Sequence, residues 1–151
     1  MNVRFVLTLW AVLISAVLTL PAPANADDGT YLGNLSANPY ASDSSANPFG
    51  AGSENANSIN NPYGEYGSKT SNKSATNPYA TDAPKLYDSQ GNYRGKLSTN
   101  KYNPESTSNP YGQYGDKHSA DSINNPYGAG NPYSTDSPNN PYGEGLTIIG
   151  Q

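Results

Sequence analysis

His118 is the single histidine, and the chain has no cysteine. A nucleophilic triad would have to join His118 to Ser119 and to Asp116 or Asp121, all within three residues of it. A triad is a matter of geometry rather than adjacency, and nothing around these residues has the pattern of a nucleophile elbow. Metal chemistry has as little to draw on, with one imidazole, no thiolate and no Asp-rich calcium loop. Asp121 with Asn124 and Asn125 offers oxygen ligands, but Asp and Asn are also the residues that turns require. Paired carboxylates for glycoside hydrolysis need a rigid scaffold to hold them. The sequence therefore reads as a protein that is not an enzyme and uses no cofactor and no metal.

The thirteen tyrosines are the more informative chemistry. They admit two readings. In one, the rings pack one turn of a repeat on the next. In the other, Tyr63, Tyr111, Tyr127 and Tyr142 form an exposed row that contacts a glycan or another partner, ring faces stacking on sugars while amides read hydroxyls. Most of these tyrosines sit in one recurring unit. Asn-Pro-Tyr or Asn-Pro-Phe begins at Asn38, Asn47, Asn61, Asn77, Asn109, Asn125, Asn131 and Asn140. Six of these have a serine three residues earlier, at Ser44, Ser58, Ser74, Ser106, Ser122 and Ser137. A degenerate unit, Ser89 to Tyr93, keeps the spacing without the proline. The consensus is [D/E/N]-S-x-x-N-P-Y-G, about seven units at intervals of 15 or 16 residues.

A longer period lies over the short one. Tyr31 to Tyr40 matches Tyr93 to Tyr102 at an offset of 62, and Ser58 to Gly64 recurs identically as Ser122 to Gly128 at an offset of 64. Residues 27–151 read as one region built by tandem duplication.

Each position of the unit has a backbone role. Asn accepts at the start of a turn, Pro presets φ at the second position and Gly suits the fourth. The serine closes a second turn through its side chain. Between Ser and Asn the residues (Ser45-Ala46, Ala75-Thr76, Thr107-Ser108) vary, which reads as freedom.

Two turn signals per unit exclude helix and leave only short strands. Two stretches are β-prone: a hairpin over residues 85–97, with its turn at Asp88–Asn92, and a tail, Leu146–Gly150, placed at a sheet edge. The core is thin. Only ten large aliphatics and Phe follow residue 26, well below the share that usually lets a chain fold alone. The fold class expected is low in regular structure: a turn-rich tandem repeat, largely disordered or weakly β, with short strands, solenoid-like stacking and helix only in a signal peptide.

Residues 1–26 carry that signal. Arg4 precedes an apolar stretch from Phe5 to Leu20, Pro21 and Pro23 follow, and Ala24-Asn25-Ala26 gives the small-x-small pattern of a cleavage site. Cleavage is placed between Ala26 and Asp27, which sends the remainder to the periplasm or the extracellular space without stable membrane insertion. The net charge of −4 is spread along the chain with no basic patch, which excludes nucleic acid as a partner.

The unit with its interspersed Gly-x-Tyr-Gly resembles a group of small secreted bacterial proteins across residues 31–145. That resemblance implies export and brings no activity with it. Leu86-Tyr-Asp-Ser-Gln-Gly-Asn92 resembles the core of a YD repeat, a β-hairpin unit of bacterial surface proteins, and occurs once. The functional expectation is an exported, non-enzymatic structural or interaction protein of the envelope or extracellular space, its repeats a spacer or interaction surface, with self-association or an envelope protein as partner. Two alternatives stand beside it: a module binding cell-wall polysaccharide through the tyrosine row, and an effector presenting Asn-Pro-Tyr and Asn47-Pro-Phe49 to host adaptor domains.

Overall fold

The computed structural model describes residues 29–151. The leader and its junction at Ala26–Asp27 lie outside the described residues. No helix occurs among those described, and the regular structure is one antiparallel sheet of four short strands. These are β1 (Thr30–Leu35), β2 (Lys85–Tyr87), β3 (Tyr93–Lys96) and β4 (Leu146–Gly150), arranged in the order β1-β4-β2-β3. The expected hairpin over 85–97 is the β2–β3 pair. The expected C-terminal strand is also present, but it is not at an edge. β4 lies inside, between β1 and β2, because Leu146 and Ile148 on its buried face need cover from both neighbours.

The register has an internal two-fold relation, seen when 62 is added to or subtracted from each number. Lys85↔Lys96 and Tyr87↔Tyr93 of the hairpin correspond to Thr147↔Asn34 and Ile149↔Tyr31 of the β4–β1 pair. At the centre, Lys85↔Ile149 corresponds to Thr147↔Tyr87, and Leu86↔Ile148 corresponds to itself. The chain before the Asp88–Asn92 turn contributes β1 and β2, and the chain after it contributes β3 and β4. No strand of either half pairs with a strand of its own half.

Both outer strands are covered, as unpaired strand edges invite association. Asn34 N–H donates to Asp43 O and Ser45 N–H to Asn34 O; Lys96 N–H donates to Glu105 O and Thr107 N–H to Lys96 O, again 62 residues on. The apolar core is small: Leu32, Tyr66, Leu86, Leu146 and Ile148, with Leu35, Ile59, Leu97 and Ile123 packed against it.

Polar side chains hold the rest. Around Asn125 the chain makes three consecutive turns, Ser122 N–H to Ser119 O at 3.2 Å, Asn125 N–H to Ser122 O at 3.1 Å and Gly128 N–H to Asn125 O at 3.1 Å. The first side chain of each turn accepts the N–H two residues on, at Ser119, Ser122 and Asn125. Asn125 Nδ2 then donates back to Ser119 O at 2.9 Å, tying the first turn to the third. The same tie recurs from Asn47, Asn61, Asn77, Asn109 and Asn140. The six unit serines are 0–1% exposed, and no buried side-chain polar atom among the described residues lacks a partner.

The residues between Ser and Asn are not free in every unit. Asn60, Asn124 and Asn139 each donate from Nδ2 to the carbonyl of the preceding unit, at Ser45, Thr107 and Ile123, all at 2.9 Å. Thr76 Oγ1 donates to Gly67 O and Thr99 Oγ1 to Thr76 O, and Ser44 and Ser106 reach Ser36 O and Ser98 O. Ser36 Oγ donates to Gly143 O at 3.2 Å, so that the last unit bonds to the first and the circuit of hydrogen bonds closes. Composition alone hides this role, since a side-chain amide that supports a turn and one that bridges two units are the same residue.

Candidate functional site

The tyrosines divide into two sets. Tyr66 is buried in the core, and Tyr87, Tyr93 and Tyr114 are half-buried beside the hairpin, where Tyr93 contacts Tyr87 and Tyr114 with ring centroids 5.7 and 5.3 Å apart. The aromatic of every Asn-Pro-Tyr/Phe unit, by contrast, stands in solvent. Eight tyrosines, Tyr63, Tyr111, Tyr127 and Tyr142 among them, and Phe49 are 85–96% exposed. The packing reading therefore fails for the unit tyrosines, and buried serine and asparagine do that work instead.

The backbone beneath each exposed ring is fixed. Asn Oδ1 accepts the N–H of the aromatic residue itself, at 3.0 Å for Tyr63 and Tyr111, 2.9 Å for Tyr127 and 3.0 Å for Tyr142. Proline holds φ at the intervening position. A ring so mounted loses little backbone entropy on meeting a partner, which is the condition for a preorganised contact. Exposure of this many large aromatics has no use in folding.

The residues weighed for catalysis are committed elsewhere or stand alone. The His118 side chain is exposed, and only its backbone N–H bonds Asp116, at 2.8 Å. Asp121 accepts from Arg94 Nη1 at 2.7 Å and from Gln113 Nε2 at 2.7 Å. Asn124 and Asn125 give their amide donors to backbone carbonyls. The described residues contain no cluster of three metal-ligating side chains. The triad and the calcium site thus have no geometry here.

The densest polar cluster is structural. Asp88, whose side chain is buried, accepts from the N–H of Gln90 and Asn92, from Asn92 Nδ2, and from Arg94 Nε and Nη2. Arg94 then reaches Asp121, clamping the hairpin turn to a repeat unit. Burial alone would raise the Asp88 carboxyl, but the bonds from Asn92 and Arg94 outweigh it and hold it below the usual carboxylate range. At Tyr93, burial and then the Glu105 carboxylate raise the phenol, keeping it a donor to Glu105. Glu105 is lowered in turn by its bond to Lys96.

A group lowered in the folded state lends stability above its unfolded value, near 3.9 for Asp, and loses it as pH falls through the folded value. Asp88→Ala should therefore cost about 3 kcal/mol at neutral pH, the low end for breaking a buried pair because Arg94 keeps some solvent. Urea midpoints should show the gap between parent and variant narrowing below about pH 4. A gap of equal size at pH 7 and pH 3 would show that the charge is not what Asp88 contributes.

No protein-family model, curated protein or solved structure matches the chain.

Proposed function

We propose that the chain is an exported, non-enzymatic interaction protein of the bacterial envelope or extracellular space. Its repeats stack as a solenoid-like scaffold closed on itself, and the scaffold holds the unit aromatics out to a partner. The observation that carries this reading is the division of labour within each unit: the serine is fully buried and the aromatic four or five residues later is almost fully exposed. Selection for packing alone would favour the reverse, because a buried tyrosine stabilises far more than a buried serine. The host-adaptor alternative draws less support, since Asn47 already uses Oδ1 on Phe49 N–H and Nδ2 on Ala41 O.

Changing Tyr63, Tyr111, Tyr127 and Tyr142 together to Ser tests the reading. Rings in open solvent contribute little to folding, so the urea midpoint should move by no more than about 0.5 kcal/mol per site. Capture of the protein by washed envelope material should fall sharply in the same variant. Undiminished capture by the folded variant would remove the aromatics from the function.

A further inference from the structure

The lysines fall into two groups that the sequence does not separate. Lys73 pairs with Glu65 and Lys96 with Glu105, while Arg94 is held by Asp88 and Asp121. Lys69, Lys101 and Lys117 make no ion pair among the described residues, and each of the three lines a surface cleft. Lys101 lies with Tyr79, Thr99, Asn100 and Tyr102 around a cleft of about 350 Å³. Lys117 and His118 share one of about 540 Å³ with Asn124, Asn125 and Tyr127. Lys69 borders one of about 520 Å³ with Asn60, Pro62, Thr70 and Thr76. The linings contain a proline from an Asn-Pro-Tyr unit, amides or hydroxyls, and no carboxylate, in two clefts beside an exposed tyrosine.

That absence of carboxylates is informative in a chain of net charge −4. The acidic residues lie elsewhere, as Asp43 does in the cleft beside Tyr31, which has no lysine. Lys101 adds a second indication. It stands where the unit otherwise has proline, 62 residues after Pro39, so the turn gives up a preset φ that is worth about 0.4–1 kcal/mol through the unfolded chain. The exchange weakens folding and puts a cation in the cleft bordered by two exposed rings, Tyr79 and Tyr102.

We infer that these three clefts bind an acidic polysaccharide, a chain of sugar rings carrying carboxylates. Tyrosine faces take the apolar faces of the sugars, Asn and Thr bond the hydroxyls, and each lysine meets a carboxylate. Scattered single cations beside aromatic and amide groups suit a polymer with one charge per sugar. They do not suit nucleic acid, whose denser charge requires a continuous basic surface. The inference rests on the reading of the exposed aromatics as a binding surface and names what that surface binds.

The test is affinity electrophoresis of the protein expressed from its full reading frame and purified in the form the host yields. Gels contain polygalacturonate, neutral hydroxyethyl cellulose, poly-glutamate or no polymer. The polymer-free gel corrects for the charge of each variant. We expect retardation by polygalacturonate that weakens with salt, at least tenfold weaker apparent affinity for Lys69→Gln/Lys101→Gln/Lys117→Gln, and a similar loss for Tyr79→Ser/Tyr102→Ser/Tyr127→Ser. Equal retardation by poly-glutamate, insensitive to the tyrosine changes, would reduce the clefts to ion exchange and overturn the inference. Retardation by the neutral polymer alone, or by none while envelope capture persists, would overturn it and leave the aromatic surface standing. Loss of envelope capture in parent protein as well would remove both.

Discussion

Residues 29–90 and 91–151, expressed as separate chains, should each lack the sheet as monomers and recover it when mixed in equal amounts. The register requires this: β1 pairs with β4, β2 pairs with β3 and β4, and neither half owns a strand pair. Each half alone would leave Leu32 and Leu86, or Leu146 and Ile148, without the strands that cover them. Because the pairings are related by a two-fold axis, a half at high concentration can also pair with a second copy of itself. The β signal in circular dichroism should then rise together with the dimer in sedimentation. A monomeric half with a concentration-independent β signal would show that the sheet is not shared in this way.

The second large effect is expected at Gly95. Its φ is +91°, and a Cβ there would lie 2.7 Å from Tyr114 Cβ and 2.8 Å from Glu105 O. That carbonyl cannot retreat, since it accepts the Lys96 N–H that covers the outer strand. Strain of about 1–3 kcal/mol from the left-handed backbone adds to about 1–3 kcal/mol of overpacking, so Gly95→Ala should cost about 4 kcal/mol. Gly91 is the internal control. It has a similar φ of +81° in the hairpin turn, but nothing lies within 4 Å of its Cβ position. Gly91→Ala should cost only the backbone term, about 1 kcal/mol. Urea unfolding of both variants separates the two contributions, and equal losses would mean that the contact with Glu105 and Tyr114 is not made.

Much of this architecture was legible in the residues. The Asn-Pro-Tyr-Gly turns follow from the intrinsic preferences of their four positions, so local chemistry sufficed to place them. The hairpin at 85–97 and the strand at 146–150 were legible for the same reason, as β-prone runs bounded by turn residues. The absence of helix among the described residues follows from the density of turn signals.

Three things were decided only in three dimensions. Of the two alternatives for residues 27–151, weakly β describes residues 29–151, because the scarcity of aliphatics is offset by buried serine and asparagine that satisfy the backbone. An apolar count cannot register that contribution. The place of β4 at the centre, rather than at an edge, depends on strands more than 50 residues away and on a two-fold relation that no local preference encodes. The tyrosines were assigned by the tertiary structure alone. In the sequence Tyr63 and Tyr66 are three residues apart and chemically identical, yet Tyr63 is mounted on a turn in solvent and Tyr66 closes the core. Residue type states what a ring is able to do, and only its environment determines whether it packs or is presented.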